Sequence, residues 1–300
     1  MRASPATTLG RSQRRTIRLS DSGQAATGEL RLRVARHGGL SVAEQQFHQG
    51  GLSVMRSQHL DESGQVCYAV INSGGGYLDD DLYVLDLDVG ANASLLLTSQ
   101  SATKVYRTPT APACQMTRAR LEAGAVLESL PDQIIVYRDG MYRQDCVVEM
   151  DPAATYLAGE VITAGWSPDG SDFAYQSLEL RTAVTITESA GPRLALVDNL
   201  ILRPQAAEMP ATGLMDGHTH LGSFLVVDRR VDADLVDEAF EICQGYEPAV
   251  HAGVTLAGGP SLVMRALGGS TGDLTALILD LDAMVRRHWL GQNRANLRKH

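Results

Sequence analysis

Two short runs hold the residue types best suited to chemistry. In PATGLMDGHTHLGS, Pro210 to Ser223, two histidines stand one residue apart, His218 and His220, with Asp216 just before them. On an extended strand both imidazoles would point to one face, which is a spacing that can hold a divalent cation. The second run, INSGGGYLDDDLYV from Ile71 to Val84, sets Gly74, Gly75 and Gly76 against Asp79, Asp80 and Asp81. A phosphate loop would need a following helix and a Lys with Ser or Thr, and three carboxylates would repel the anion. A calcium loop of the EF-hand type would need alternating acids and a closing Glu, whereas these aspartates are consecutive. The run therefore reads as a structural turn between two strands, with at least one of the three glycines at positive φ. Alternation would place Asp79 and Asp81 on one side and Asp80 on the other.

Context weakens the histidine pair. Taken locally it looks like the metal-dependent amidohydrolases, whose H-x-H opens a (β/α)8 barrel and whose further ligands come from later strands. Only 80 residues follow His220, and His251, His288 and His300 are the later histidines. An amidohydrolase built on His218 and His220 is kept as an alternative, beside a strand that simply carries two histidines. No GxSxG elbow is present, and no Cys and His positions form a nucleophile pattern, so an enzyme is not expected. Cys67, Cys114, Cys146 and Cys243 are widely spaced, without CxxC, and fit ordinary reduced thiols of a cytoplasmic protein rather than a zinc site or a disulfide scaffold.

Those residues must be positioned by a chain of 300 residues, 44% hydrophobic and 20% charged, which is enough for a sizeable core. A formal net charge of −9 argues against nucleic acid as partner, since such binding rests on Lys and Arg neutralising phosphates. No apolar run is long enough to span a bilayer, and the N-terminus lacks the apolar stretch of a signal peptide. Arg2, Arg11, Arg14, Arg15 and Arg18 precede the first acid, Asp21, without a regular apolar face, so residues 1–27 are expected to form a flexible tail.

From about Gly28 to Asp228 apolar residues alternate with polar ones and are interrupted by Gly, Pro, Asn and Asp, the pattern of β-strands. LDVGANASL at Leu87, LEAGAVLESL at Leu121 and VEMDPAATYL at Val148 echo one another, and KVYR at Lys104 is echoed by IVYR at Ile135. Repeated short strands with small turns suggest stacked layers, because one such unit cannot bury its apolar face alone. The expected fold is mainly β, a stacked-strand, β-helix-like body to about residue 229, followed by two helices and two strands; a β-sandwich of hairpins is the alternative. In the first helix Leu235, Ala239 and Ile242 share a face; in the second Leu274, Leu277, Ile278, Leu281 and Val285 do, with Thr271 as cap and Gly291 as stop. The two strands between them meet at Gly258, Gly259 and Pro260. No linker separates these regions, so residues 28–300 are expected to be one domain.

The run from Asn72 to Thr108, continued from Ala113 to Gln144, resembles the urease accessory protein UreD (UreH) family. The shared features are Asn72 with the glycine run Gly74 to Gly76, the segment Thr98 to Tyr106, Gln115 opening the next strand, and Leu127 to Tyr137. GEVITAGWSPDGSDFAY and the ending NLRKH resemble some branches, and the order is kept from about Gly28 onward. One departure is that the family commonly has Gly-Asp after the glycine run where this chain has Asp80-Asp81, so only Asp81 carries over. The resemblance implies a non-enzymatic maturation factor that binds the urease apoprotein and, with UreF and the GTPase UreG, supports nickel insertion into the urease active site. It implies a mostly β fold with a couple of helices, no permanently bound cofactor, and nickel in transit along a polar path. A conduit must hold the ion weakly, because a complete ligand set would trap it. Asp81, Lys104, Glu128 and Glu160 lie in the matching segments and are the candidates to line such a path; Tyr106 and Tyr137 are expected to be packing residues. No nucleic acid or membrane partner is implied. The third alternative is a β-solenoid interaction module without metal.

Overall fold

A computed structural model of the chain describes residues 25–297. The alternating stretches become β1 (Gly28–His37), β2 (Leu40–Gly50), β3 (Leu52–Val54), β4 (Val66–Asn72), β5 (Leu82–Val89), β6 (Ser94–Ser99), β7 (Thr103–Val105), β8 (Ala113–Leu121), β9 (Val126–Ser129) and β10 (Ile134–Val136). They continue with β11 (Met141–Met150), β12 (Thr155–Ile162), β13 (Ser177–Glu188), β14 (Gly191–Leu202) and β15 (His220–Val227). The chain then forms helix α1 (Ala233–Gln244), β16 (Val250–Ala257), β17 (Ser261–Gly268) and helix α2 (Thr271–Val285).

Two parallel ladders make the body. β1, β5, β8, β11 and β13 lie side by side in one sheet, and β4, β6, β9 and β12 in the other, so successive coils contribute one strand to each. This is the stacked, β-solenoid-like body expected. Antiparallel strands close its ends: β2 and β14 on the first sheet, β3 and the meander β15, β17, β16 on the second. The echo seen in the sequence is a true repeat, in a different register. Val89, Leu121 and Met150 are lateral neighbours, instead of Leu87, Leu121 and Val148. The turns set this register: Glu122 N–H donates to the Val89 carbonyl and Asp151 N–H to that of Leu121, which puts Ala93, Ala125 and Ala154 at equivalent, fully buried corners. KVYR and IVYR do stack, Lys104 beside Ile135 and Val105 beside Val136, and the rings of Tyr106 and Tyr137 lie 4.9 Å apart.

Alternation gives the first sheet two unlike faces. Leu32, Leu87, Leu121, Val148 and Val184 point into the core between the sheets. On the outer face Asp88, Arg120 and Glu149 sit on adjacent strands, with Arg120 3.7 Å from each acid. A second apolar layer lies between the other face of the second sheet and the helices, where Leu96, Leu157, Phe224 and Met264 meet Leu277, Leu281 and Val285. In α2 the expected stripe is buried, but the cap is Ser270, whose hydroxyl accepts from the N–H groups of Gly272 and Asp273, and Thr271 is the first helical residue. In α1 Cys243 takes the fully buried place assigned to Ile242, which packs at its margin. Gly291 stops the chain at φ 62 after a wider π-type turn, Arg286–Leu290. The expected tail lies outside the described residues up to position 24; Thr27 is already docked, its N–H donating to Leu82 and its hydroxyl to Asp81. Among the described residues no helix is long and apolar enough to cross a membrane.

Candidate functional site: a polar cavity between the sheets

Inward-facing positions of a two-sheet body are normally apolar. Here two layers are not. Gln115 of β8 and Gln144 of β11 are lateral neighbours in one layer; Thr117, Cys146 and Thr182 form the next. Tyr156 and Glu160 of β12 and Ser223 of β15 face them from the second sheet, and the space between is a cavity of about 110 Å³. Side chains too polar to close on one another as leucines would leave this space, and hydrogen bonds then fix them.

The bonds form a chain. Tyr77 donates its hydroxyl to Gln115 at 2.5 Å, the Gln115 amide donates to Gln144 at 3.5 Å, Tyr142 donates to Gln144 at 3.0 Å, and the Gln144 amide donates to Glu160. Burial raises the Glu160 pKa, the Gln144 amide opposes that rise, Asp198 adds to it and Arg265 counters it. Arg265 of β17 in turn donates to Ser223 and to Asp198. Burial pushes the Cys146 thiol up to about 12, with the Tyr156 hydroxyl 3.6 Å from its sulfur. The cavity thus holds the Glu160 carboxyl, of reduced acidity, neutral amides, hydroxyls and a protonated thiol, with Asp132 and Lys104 also in its lining. Such a set can replace part of a cation's hydration shell without forming a closed coordination sphere.

The structure separates the four residues proposed from sequence. Glu160 and Lys104 line the cavity. Asp81 does not; its carboxylate closes the turn before β5, accepting from the Leu78 N–H at 2.7 Å and from Thr27 at 3.0 Å, with the Tyr83 hydroxyl 3.4 Å away. Glu128 lies on the opposite face of the second sheet because its neighbour Leu127 takes the inward position. There it is fully buried and bound to Arg286 and Gln65, beneath the helices. The glycine run behaves as a turn: Gly75 has φ 75, and a Cβ on Gly76 would stand 2.4 Å from the Tyr106 ring and 2.9 Å from the Lys104 carbonyl. The aspartates do not alternate, because they belong to this turn; Asp80 has φ 60, while Asp79 accepts from the N–H groups of Thr110 and Ala111. Tyr106 and Tyr137 pack as expected, in a row that continues to Trp166. Sequence reasoning missed Tyr77, Gln144, Cys146, Tyr156, Ser223 and Arg265. The available signal was polar residues at inward positions of otherwise apolar strands, as at Gln144 in MYRQDCVVEM.

His218 and His220 diverge in role. The ring of His218 packs on that of His251 with centroids 5.1 Å apart, while His220 Nδ1 lies 2.9 Å from the Thr219 hydroxyl. They sit at the entrance to an antiparallel meander, whereas the hydrolase alternative requires a (β/α)8 barrel.

Comparison with known proteins places these features in a family setting. The family model described as UreD urease accessory protein matches residues 26–300. A protein from Actinomyces naeslundii named urease accessory protein UreD is 49% identical over 276 residues, covering 92% of this chain and all of the relative. Similarly named proteins from Arthrobacter sp. (strain FB24) and Bacillus sp. (strain TB-90) are 46% and 34% identical, each over 91% of this chain and over 94% and 99% of their own length.

Proposed function

Because this chain belongs to the UreD family of urease accessory proteins, we propose that it acts as a scaffold for urease maturation, binding the urease apoprotein together with UreF and UreG and passing nickel through the cavity between its sheets. It works without a permanently bound cofactor; nickel is its cargo. The family is one of accessory proteins and not a known enzyme family, which favours this reading over hydrolysis. The match from residue 26 onward supports a single UreD-like unit. Its setting in this reading is cytoplasmic, in keeping with four widely spaced cysteines without CxxC.

The observation that carries the reading is Glu160, a carboxylate placed with Gln115 and Gln144 in an open cavity of the inter-sheet core. A cation entering there meets a carboxyl that can release its proton in response to the ion's charge, so its desolvation is partly offset, yet too few donors surround it to hold it. Lys104 lines the same space; its charge disfavours a cation resting beside it, which suits passage more than storage.

The test is Glu160→Gln, which keeps the shape and the amide contact while removing the charge. In cells making urease and its accessory proteins, the variant is expected to pull down urease subunits as the wild type does while the matured urease contains several-fold less nickel. Normal nickel content would remove the cavity from the reading; failure to retain any urease component by the wild type would remove the scaffold.

A further inference from the structure

The loop before β15 is built to present one side chain. Met209 and Met215 are buried in the inter-sheet core, and the backbone between them is closed on itself: Met215 N–H donates to Met209, Asp216 N–H to Ala211, Gly217 N–H to Pro210 and His218 N–H to Met215. Asp216 and Gly217 take left-handed backbone, φ 46 and 79, which turns the chain sharply just before His218. Thr219 N–H then donates to the Gly268 carbonyl and ties the loop to the end of β17. On the other side of β17, the edge strand β16 carries His251 opposite Leu267, the residue before Gly268. Two distant segments thus meet across one strand end, and the contact between them is an imidazole pair.

The separation of that pair carries information. A metal held about 2.1 Å from an imidazole nitrogen lies about 3.2 Å from the ring centre, so two imidazoles bound to one ion at ordinary angles have centres roughly 4.5–5.2 Å apart. The observed 5.1 Å falls within that range. His251 is exposed and His218 half-buried, so an ion can arrive from solvent. From this we infer that His218 and His251 form a surface site for a late first-row divalent cation such as Ni²⁺ or Zn²⁺, separate from the inter-sheet cavity. Imidazole suits these ions and not Mg²⁺, which prefers oxygen donors. Among the described residues no group of three or more His, Cys, Asp or Glu is placed to hold a metal, so water completes the coordination and the ion exchanges readily. His220, whose Nδ1 is engaged by Thr219, is not part of this ring pair. The site stands whether or not nickel crosses the cavity.

The test is equilibrium dialysis and calorimetric titration of the full chain with Ni²⁺, with Zn²⁺ as competitor and Mg²⁺ as control, no urease being present. The wild type is expected to bind one more equivalent of Ni²⁺ than His218→Ala, His251→Ala or the pair, or to bind it at least tenfold more tightly. His220→Ala and His48→Ala, the latter on the exposed face of β2, are expected to match the wild type within twofold. His218→Gln and His251→Gln repeat the loss with more of the side chain kept, and circular dichroism checks that each variant is folded. Wild-type stoichiometry and affinity in both His218 and His251 variants would overturn the proposal, as would an equal loss on His220→Ala, which would place the ion on the H-x-H pair. Because the readout is cation binding by the isolated chain, its failure is distinct from a failure of urease maturation.

Discussion

Replacing Arg286 by Met is expected to unlatch the C-terminal turn from the β body. Arg286 is 1% exposed and reaches four partners: the Asn293 carbonyl at 2.8 Å, Gln65 at 3.0 Å, Asp61 at 3.3 Å, and the fully buried Glu128. Methionine fills similar apolar volume but leaves Glu128 with the Gln65 amide, 2.9 Å away, as its remaining side-chain donor. Removing one partner of a buried ion pair costs about 3–5 kcal/mol, because the other charge is left uncompensated. Glu128 can escape part of that cost by binding a proton. Burial already raises its pKa, with the Arg286 charge the main opposing influence, so losing Arg286 lets it rise further. A carboxyl whose pKa is higher folded than unfolded has its full stability below the unfolded value and loses it as pH rises toward the folded value. The deficit of Arg286→Met should therefore be largest at pH 7–8 and shrink toward pH 4. Glu128→Gln in the Arg286→Met background should restore a large part of the loss at pH 7, since no buried charge then remains in the pair. Urea unfolding of the wild type, both single variants and the double variant at pH 5 and pH 7.5 supplies the cycle. A coupling below about 0.5 kcal/mol at pH 7.5 would refute the argument, that being the scatter expected of independent sites.

Three further outcomes follow from local geometry. Asp282 is fully buried, and among the described residues no group hydrogen-bonds either carboxylate oxygen; burial first, then the Glu128 charge, raises its pKa against Arg286 and Arg294. The wild type should therefore lose stability relative to Asp282→Asn as pH climbs above about 4, a divergence read from urea midpoints at pH 4, 6 and 8 and refuted by parallel curves. Gly76→Ala should destabilise by about 1–3 kcal/mol through overpacking on Tyr106 and the Lys104 carbonyl. Gly75→Ala, with open space at Cβ but φ 75, should cost only about 1–2 kcal/mol of backbone strain; equal urea midpoints for Gly76→Ala and wild type would contradict the close approach. Cys146, with its pKa pushed to about 12, should resist iodoacetamide at pH 8 until the chain is unfolded, which mass spectrometry of alkylated peptides would show.

What the sequence determined by itself was most of what is local or repeated. Period-two alternation gave the strands, the 3.6-residue stripe of Leu274, Leu277, Ile278 and Leu281 gave α2, and the echo of short segments gave stacked coils, because a repeat that cannot bury its own face must stack. The ordered run of small motifs was enough to point to the family, and Gln115 and Glu160 stood in matching segments before their shared cavity was visible. The exact register was not legible: a shift of two residues keeps every side chain on its face, so Leu87 and Val89 are equally acceptable to the pattern, and only the corner alanines with their turn hydrogen bonds decide. Nor could the sequence tell Glu128 from Glu160, both acids on short strands; one faces the helices and the other the opposing sheet, a choice made by which neighbour is apolar and by where Arg286 arrives from far along the chain. The pairing of His218 with His251 has the same origin. Thirty-odd residues apart in sequence, they meet because β15 and β16 both pair with β17, and strand pairing is a long-range property that local residue type does not encode.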